Sequence, residues 1–347
     1  MYIEEIVFNN FRNIRTNKIT LSKNFNVLYG KNAQGKTSVI EAIYFLSTGK
    51  SFRTRKVLEQ IKEGEKTLTL FSKTSVDNFS IQLNKEKKDF YISKNKVKYK
   101  EYIGKLLAIS FSPEDISLIM DTPENRRRFF NYEMSQISKL YLNDLINFQK
   151  VLKVRNKLIK EKKMDSEIFK IYNDKYIFLS QRIYEFRKKY ISDLSKYINQ
   201  KYKELFDKKE LIIRYEPSCD YNKLKEILEE KKEKELFIGF SIYGPQKDEY
   251  SFLINNKKVK TFASQGEKKS VIFSLKLAQI EYIINSTKKT PIVLLDDITA
   301  YFDEIRKKIV LEYFKEKDIQ CIFTSTEDID ICAKKMYVSD GEIKDEI

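Results

Sequence analysis

The chain has 347 residues, with 66 Lys and Arg against 50 Asp and Glu, a formal net charge of +16 and no histidine. The missing imidazole excludes Ser-His-Asp and Cys-His nucleophiles, histidine-ligated metals and a histidine pH switch, so acid–base chemistry falls to carboxylates, lysine, tyrosine or water. Three scattered cysteines, Cys219, Cys321 and Cys332, make neither a disulfide framework nor a zinc cluster, and no run approaches 18 apolar residues, so the expectation is a cytoplasmic protein with no membrane partner.

Taken in chain order, the first 110 residues read as β-rich with one helix. Ile3 to Phe8 and Phe25 to Tyr29 predict strands, Ser38 to Leu46 a helix, and Thr67 to Val76 with Phe79 to Leu83 a hairpin across Asp77 and Asn78. Leu106 to Phe111 is a short apolar strand. From Pro113 the period turns helical. Leu145, Phe148, Leu152 and Ile159 form one arm, and Tyr172, Tyr176, Leu179, Ile183, Phe186, Tyr190, Leu194 and Ile198 recur at steps of three and four on a second. The charged stretch 160–167 between them predicts an antiparallel helical hairpin. A charged helix follows at Leu224 to Leu236, then a helix at Ser264 to Ile284. A strand at Pro291 to Asp296, a helix at Asp303 to Phe314 and a strand at Gln320 to Thr324 close the chain.

Gly30, Lys31, Asn32, Ala33, Gln34, Gly35, Lys36 and Thr37 match G-x-x-x-x-G-K-[ST], and Ser38 continues the helix. The match sits between a predicted strand and a predicted helix, the context this phosphate loop requires. Loop N–H groups and the helix N-terminus would face the phosphates of ATP. Lys36 would reach the β- and γ-phosphates and the Thr37 hydroxyl a Mg²⁺ ion. Such a loop needs a carboxylate at the tip of a neighbouring strand. Ile292 to Leu295 are apolar and end in Asp296, for the metal, and Asp297, for the attacking water. Ser264 and Gly266 open a helix about 30 residues before Asp296 and offer a second phosphate-seeking helix start. Ser264 with Glu267 equally fits a plain capping box.

The order phosphate loop, long insertion, Ser-x-Gly-Glu helix, acidic strand and then Asp303 resembles the ATP-binding-cassette ATPases of SMC type. Segments 7–13, 30–54, 111–119, 122–131, 243–249, 262–278 and 294–303, in that order, resemble the RecF family of bacterial recombination mediators over nearly the whole length. The resemblance implies an α/β P-loop NTPase of the ABC/SMC-head type. Residues 1–111 and 286–347 would form lobe I, and residues 112–285 a helical lobe II carrying the signature. It implies ATP and Mg²⁺ as cofactors and an ATP-dependent homodimer with two sandwiched nucleotides, in which Ser264, Gly266 and Asp303 contribute across the dimer. It further implies binding to double-stranded and gapped DNA, slow DNA-stimulated hydrolysis, and partnership with RecR, with RecO and RecA in the same repair, replication-restart and SOS pathway.

Two places depart from the family pattern. Gln246 and Lys247 replace its His and Arg in Gly-Pro-His-Arg-Asp-Asp, and Ala300, Tyr301 and Phe302 precede Asp303 where Ser-Glu-Leu is usual. Ser325 or Thr326 falls where transporter cassettes place a switch histidine. Lysine supplies 54 of the basic residues and arginine 12, and lysine excess of this kind accompanies AT-rich genomes, so arginine placement is the sharper guide to DNA. Arg53, Arg55, Arg126, Arg127 and Arg128 are the candidates for phosphate contacts, with Lys153, Arg155, Lys157 and Lys160 along one helical arm. Other readings are an SMC-like head serving another system, a transporter cassette, and a structural DNA-binding protein with a vestigial site. The first usually adds a nuclease domain or long coiled coils, for which the 44 residues after Asp303 leave no room.

Overall fold

The computed structural model describes residues 1–54, 56–297 and 304–346. The chain divides into two compact units, Met1–Asp115 with Gln279–Ile347, and Ile116–Ala278. The lobe boundaries expected at 111/112 and 285/286 lie a few residues away, and the second division falls inside the helix Gln265–Thr287.

The first unit is built on the helix Lys36–Thr48, of which 11 residues are buried. A helix apolar on nearly every side must be covered on every side. It is covered by two sheets, and Val39, Ile40, Ile43 and Phe45 share one core with Ile6, Leu70 and Ile81 of the first sheet and Leu28, Leu294 and Ile322 of the second. The first sheet is antiparallel, and Thr67–Thr74 buries every second residue, as a sheet with one wet face does. Its expected hairpin turn shifts: Asn78 is already in the strand, opposite Lys73, because the Thr74 hydroxyl donates to the Asp77 carbonyl (2.6 Å) and closes a tighter turn. The strands Lys88–Ile92 and Asn95–Val97 extend this sheet without having been predicted. Their residues lack an apolar alternation, and it is the turn Ser93 (φ 46°) and Lys94 (φ 72°) that pairs them.

The second sheet carries the order Glu342–Asp345, Lys334–Ser339, Phe25–Tyr29, Cys321–Ser325, Ile292–Leu295 and Ala108–Phe111. All but the first of these strands are parallel. Ile292–Leu295, Cys321–Ser325 and Ala108–Phe111 are buried throughout, which is why they read as unbroken apolar runs rather than alternating ones. Parallel strands bring their carboxyl ends to one edge, where open α/β sheets bind ligands.

In the second unit the helices Lys139–Lys160 and Glu167–Leu205 run antiparallel, as the contacts Phe148 on Tyr176 and Tyr141 on Phe186 require. The strands Leu211–Glu216, Glu249–Ile254 and Lys257–Lys258 form a small antiparallel sheet. The expected helix Leu224 to Leu236 breaks at Lys231 into Leu224–Glu230 and Lys232–Ile238. Glu235 of the second piece is fully buried, where its carboxylate accepts from Arg155 (2.7 Å) and from the Ile242 N–H (3.0 Å). Arg155, expected among the phosphate contacts of this arm, is itself buried between the rings of Phe169 and Tyr176, so it does not belong with the DNA-contact lysines.

Around Gly244, Pro245, Gln246, Lys247 and Asp248 the motif is structural. Asp248 is fully buried and accepts from Arg187 (2.7 Å), the Tyr221 hydroxyl (2.7 Å), the Ser218 N–H (2.9 Å) and the Tyr215 hydroxyl. Gln246 fills the space beside Tyr176, donating to its hydroxyl (2.9 Å) and to the Tyr243 carbonyl (3.1 Å), while Lys247 is exposed. An amide thus meets the hydrogen-bonding needs of this position without imidazole. Asp248→Ala leaves the Arg187 charge buried without its partner and should cost about 3–5 kcal/mol. A denaturant midpoint that barely moves would show the network to be dispensable.

Candidate nucleotide-binding site

The loop Gly30 to Gly35 leaves the strand Phe25–Tyr29 and enters the helix Lys36–Thr48 at the carboxyl edge of the parallel sheet. Gly30 has φ 146°, and a Cβ there would lie 2.3 Å from the Val338 carbonyl oxygen, so no other residue fits. The side chain of Lys36 folds back over the loop, and its Nζ donates to the carbonyls of Gly30 and Lys31, both at 2.7 Å. Burial pushes the pKa of this ammonium down, against the charges of Asp296 and Asp297.

Asp296 lies at the end of Ile292–Leu295, the second strand over from the loop strand. Its Oδ1 accepts from the Thr37 hydroxyl (2.9 Å) and from the Thr324 hydroxyl (2.8 Å). The Asp297 N–H donates to the same Thr324 hydroxyl (2.7 Å), and Asp297 takes a left-handed φ of 59°. The sheet therefore brings Lys36, Thr37, Asp296 and Asp297 together around one polar cleft of about 960 Å³, which Asn32, Ala33, Gln34, Gly35 and Ser38 also line. Ser325 and Thr326, at the expected switch position, line this cleft, and the hydroxyl that reaches Asp296 is that of Thr324. Asp303, Ala300, Tyr301, Phe302 and Arg55 lie outside the described residues.

Ser264 caps the helix Gln265–Thr287 in the second unit. Its N–H donates to Glu267 (2.9 Å) and its hydroxyl accepts from the Glu267 N–H (3.1 Å), a capping box on an exposed helix start. Gly266 is exposed in the same first turn.

Three polar residues that support the cleft, Arg12, Asn13 and Glu41, lie within segments 7–13 and 30–54 but outside the phosphate-loop motif. Glu41 is fully buried in the middle of the apolar helix, where its carboxylate accepts from Arg12 through Nε (3.0 Å) and Nη2 (2.8 Å). Asn13 accepts from the Ser38 hydroxyl (2.9 Å). The signal was present: one acid inside Val39 to Leu46 has no reason to be buried without a cation. Arg53 joins them at 3.4 Å from Glu41 and lines the cleft with its side chain still exposed. Arg126, expected as a phosphate contact, is a core residue instead. It is buried and pairs with Glu249 through two bonds of 2.8 and 2.9 Å, while Nη1 donates to the Asp121 carbonyl (2.8 Å). Arg127 is half-buried on the Asp248 carbonyl (2.8 Å), and Arg128 alone of the three is exposed.

Burial raises the pKa of Asp296 above the ordinary carboxylate range, although the Thr324 and Thr37 hydroxyls oppose it. A raised carboxyl pKa means that the charge costs the folded state stability at neutral pH, and that the cost fades as the pH falls through the raised value. Asp296→Asn should therefore raise the melting temperature of the nucleotide-free protein at pH 7, with the advantage shrinking toward pH 4. A variant less stable than wild type at pH 7 contradicts this.

A profile of the RecF/RecN/SMC N-terminal domain matches residues 2–338. The DNA replication and repair protein RecF of Clostridium novyi (strain NT) is 34% identical over 343 residues, which cover 95% of this chain and 94% of that protein. RecF of Bacillus cereus (strain G9842) is 33% identical over 373 residues, covering 100% and 99%. A solved structure of the recombination mediator RecF with ATP, of the RecFOR pathway, superposes with a TM-score of 0.93 at 29% identity over 100% of this chain and 98% of that one. The Smc head domain of Pyrococcus furiosus, at 16% identity and a TM-score of 0.56 over 99% of this chain and 96% of that one, shares the fold. With its cleft at the carboxyl edge of a parallel sheet and these full-length matches, the chain belongs to the RecF family, within the ABC/SMC-head class of P-loop proteins.

Proposed function

We propose that this protein is an ATP-driven, DNA-binding switch of recombinational repair. The hydrogen-bonded chain Lys36–loop and Thr37–Asp296–Thr324 carries the reading, because it assembles phosphate ligands and a metal-type carboxylate from elements far apart in sequence. The loop N–H groups and Lys36 hold the β- and γ-phosphates. Lys36 exchanges its loop carbonyls for phosphate oxygens, a trade that burial favours because it pairs a desolvated ammonium with an anion.

The Thr37 hydroxyl and the Asp296 carboxylate, 2.9 Å apart, are hard oxygen donors of the kind Mg²⁺ takes, so they fit that ion. When bound, Mg²⁺ neutralises charge developing on the transferred phosphate. Asp297, fixed through its N–H by Thr324, orients the attacking water. The Ser264–Gly266 helix start and Asp303 of a second copy close on the nucleotide, so that ATP joins a homodimer. Residues 1–111 with 286–347 act as the nucleotide lobe, and 112–285 as the signature lobe.

The dimer holds double-stranded or gapped DNA, hydrolyses ATP slowly under DNA stimulation, and works with RecR, and with RecO in the pathway, to load RecA at single-stranded gaps. The relatives' names and the structures of RecF with ATP support this role.

Light scattering with ATP, Mg²⁺ and gapped DNA should show a dimer that is absent without nucleotide; a monomer under all conditions overturns the reading. Lys36→Arg should retain nucleotide binding and lose about a hundredfold or more in turnover, the scale of a lost transition-state donor. Asp297→Asn should prolong the ATP dimer, and an unchanged dimer lifetime would remove Asp297 from its role. Arg128→Ala should weaken duplex binding about equally for all sequences and lower the salt slope by about one. An unchanged slope would exclude a phosphate contact there.

A further inference from the structure

The nucleotide loop is gripped by a part of the chain that carries no motif. The strands Lys334–Ser339 and Glu342–Asp345 form a hairpin, and the first of them pairs in parallel with the loop strand, Tyr337 beside Tyr29. Its turn residues Asp340 (φ 47°) and Gly341 (φ 76°) are both left-handed. The Asp340 N–H donates to Gln34 Oε1 (2.7 Å), and the Gly341 N–H to the Gln34 carbonyl (2.9 Å).

On the other side, the Gly341 carbonyl accepts from the N–H groups of Arg15 (2.8 Å) and Thr16 (3.3 Å). The Thr16 hydroxyl in turn accepts from the Ile343 N–H (2.7 Å). The turn is thus wedged between the loop and the Arg12–Thr16 segment, and there is no room for a side chain in the wedge. A Cβ on Gly341 would stand 2.0 Å from the Asn13 carbonyl oxygen. A Cβ on Gly35 would stand 3.3 Å from the Asn13 carboxamide and 3.6 Å from Gly341 Cα. The same hairpin presses on the start of the loop, where Val338 requires Gly30.

We propose that the turn 339–342 is a positioning element of the nucleotide loop, with Gly341 as its key residue. The inference rests on reading the loop as an ATP site. A phosphate loop works through N–H groups aimed in advance, and a loop with several left-handed or glycine residues does not hold that aim by itself. Two bonds to Gln34 and the wedge against Asn13 fix it from outside. Gly341 and Asp340 touch no phosphate in this scheme; they act through Gln34 and Asn13.

The full chain is tested as wild type, Gly341→Ala and Gln34→Ala, the latter removing the acceptor of the Asp340 N–H. A fluorescent ATP analogue gives affinity, and hydrogen exchange without nucleotide reports the loop amides directly. The expected result is about tenfold weaker nucleotide binding for Gly341→Ala and a few-fold for Gln34→Ala, the scale of one or two lost hydrogen bonds. Faster exchange should be confined to residues 12–16 and 31–36. If Gly341→Ala does not fold, Gln34→Ala carries the test alone. Variants that bind the analogue as wild type does, or whose exchange rises throughout the first unit instead of at the loop, overturn the proposal. A wild type that fails to bind the analogue overturns the ATP reading itself, whereas binding by wild type and variants alike removes the positioning role only.

Discussion

The carboxylate of Asp296 is the point on which the rest of the first unit depends. Its Oδ1 holds the hydroxyls of Thr37 and Thr324, and so joins the ends of two neighbouring parallel strands to the first turn of the helix Lys36–Thr48, through residues 259 and 28 positions away in the chain. An ionised carboxylate in a half-dry site is unfavourable unless hydrogen bonds or a cation meet it. Two hydroxyls meet part of that need, and the remaining bias is toward a proton or a cation, as the upward-shifted pKa records. The fold tolerates a poorly satisfied acid at the place where its proposed chemistry requires one.

That acid is presented by strands packed on both faces. Ile292–Leu295 and Cys321–Ser325 are buried on both faces, and the helix Lys36–Thr48 is enclosed between the sheets. A one-residue slip of either strand would turn Asp296 or Thr324 away from the loop. Within the helix, Glu41 adds a second ionic anchor, clamped side-on by Nε and Nη2 of the Arg12 guanidinium. Arg53, through Glu41, places a cation on the cleft wall and draws the Asp296 pKa downward.

The second unit solves a different problem with similar means. Its long helices are held by buried arginines: Arg155 between two aromatic rings and on Glu235, Arg187 on Asp248 and the Pro245 carbonyl. Arginine suits these places because its planar, weakly hydrated fork makes several directed bonds at once. This use takes Arg126, Arg155 and Arg187 off the surface, three of the ten arginines whose burial is described. Arg126 and Arg155 looked like polyanion contacts in the sequence and are core residues in the fold, so the +16 charge rests on solvated lysines more than on an arginine cluster.

The sequence by itself determined the strand–loop–helix at Gly30 to Thr37, the acidic strand ending in Asp296, the helical hairpin and the family, because those features are local runs or fixed spacings. It left undecided what an isolated polar residue faces. Glu41, Asn13, Thr324 and Gly341 carry no periodic signal, since each is explained by a partner between 25 and 328 residues distant. Only the tertiary structure decided that Thr324 holds Asp296, that Arg53 faces the cleft while Arg126 and Arg155 are buried, and that the hairpin Lys334–Asp345 wedges the loop. The physical reason is common to all of them: a hydrogen bond or a missing Cβ is chosen by the atom across the gap, and tertiary packing brings that atom from another part of the chain.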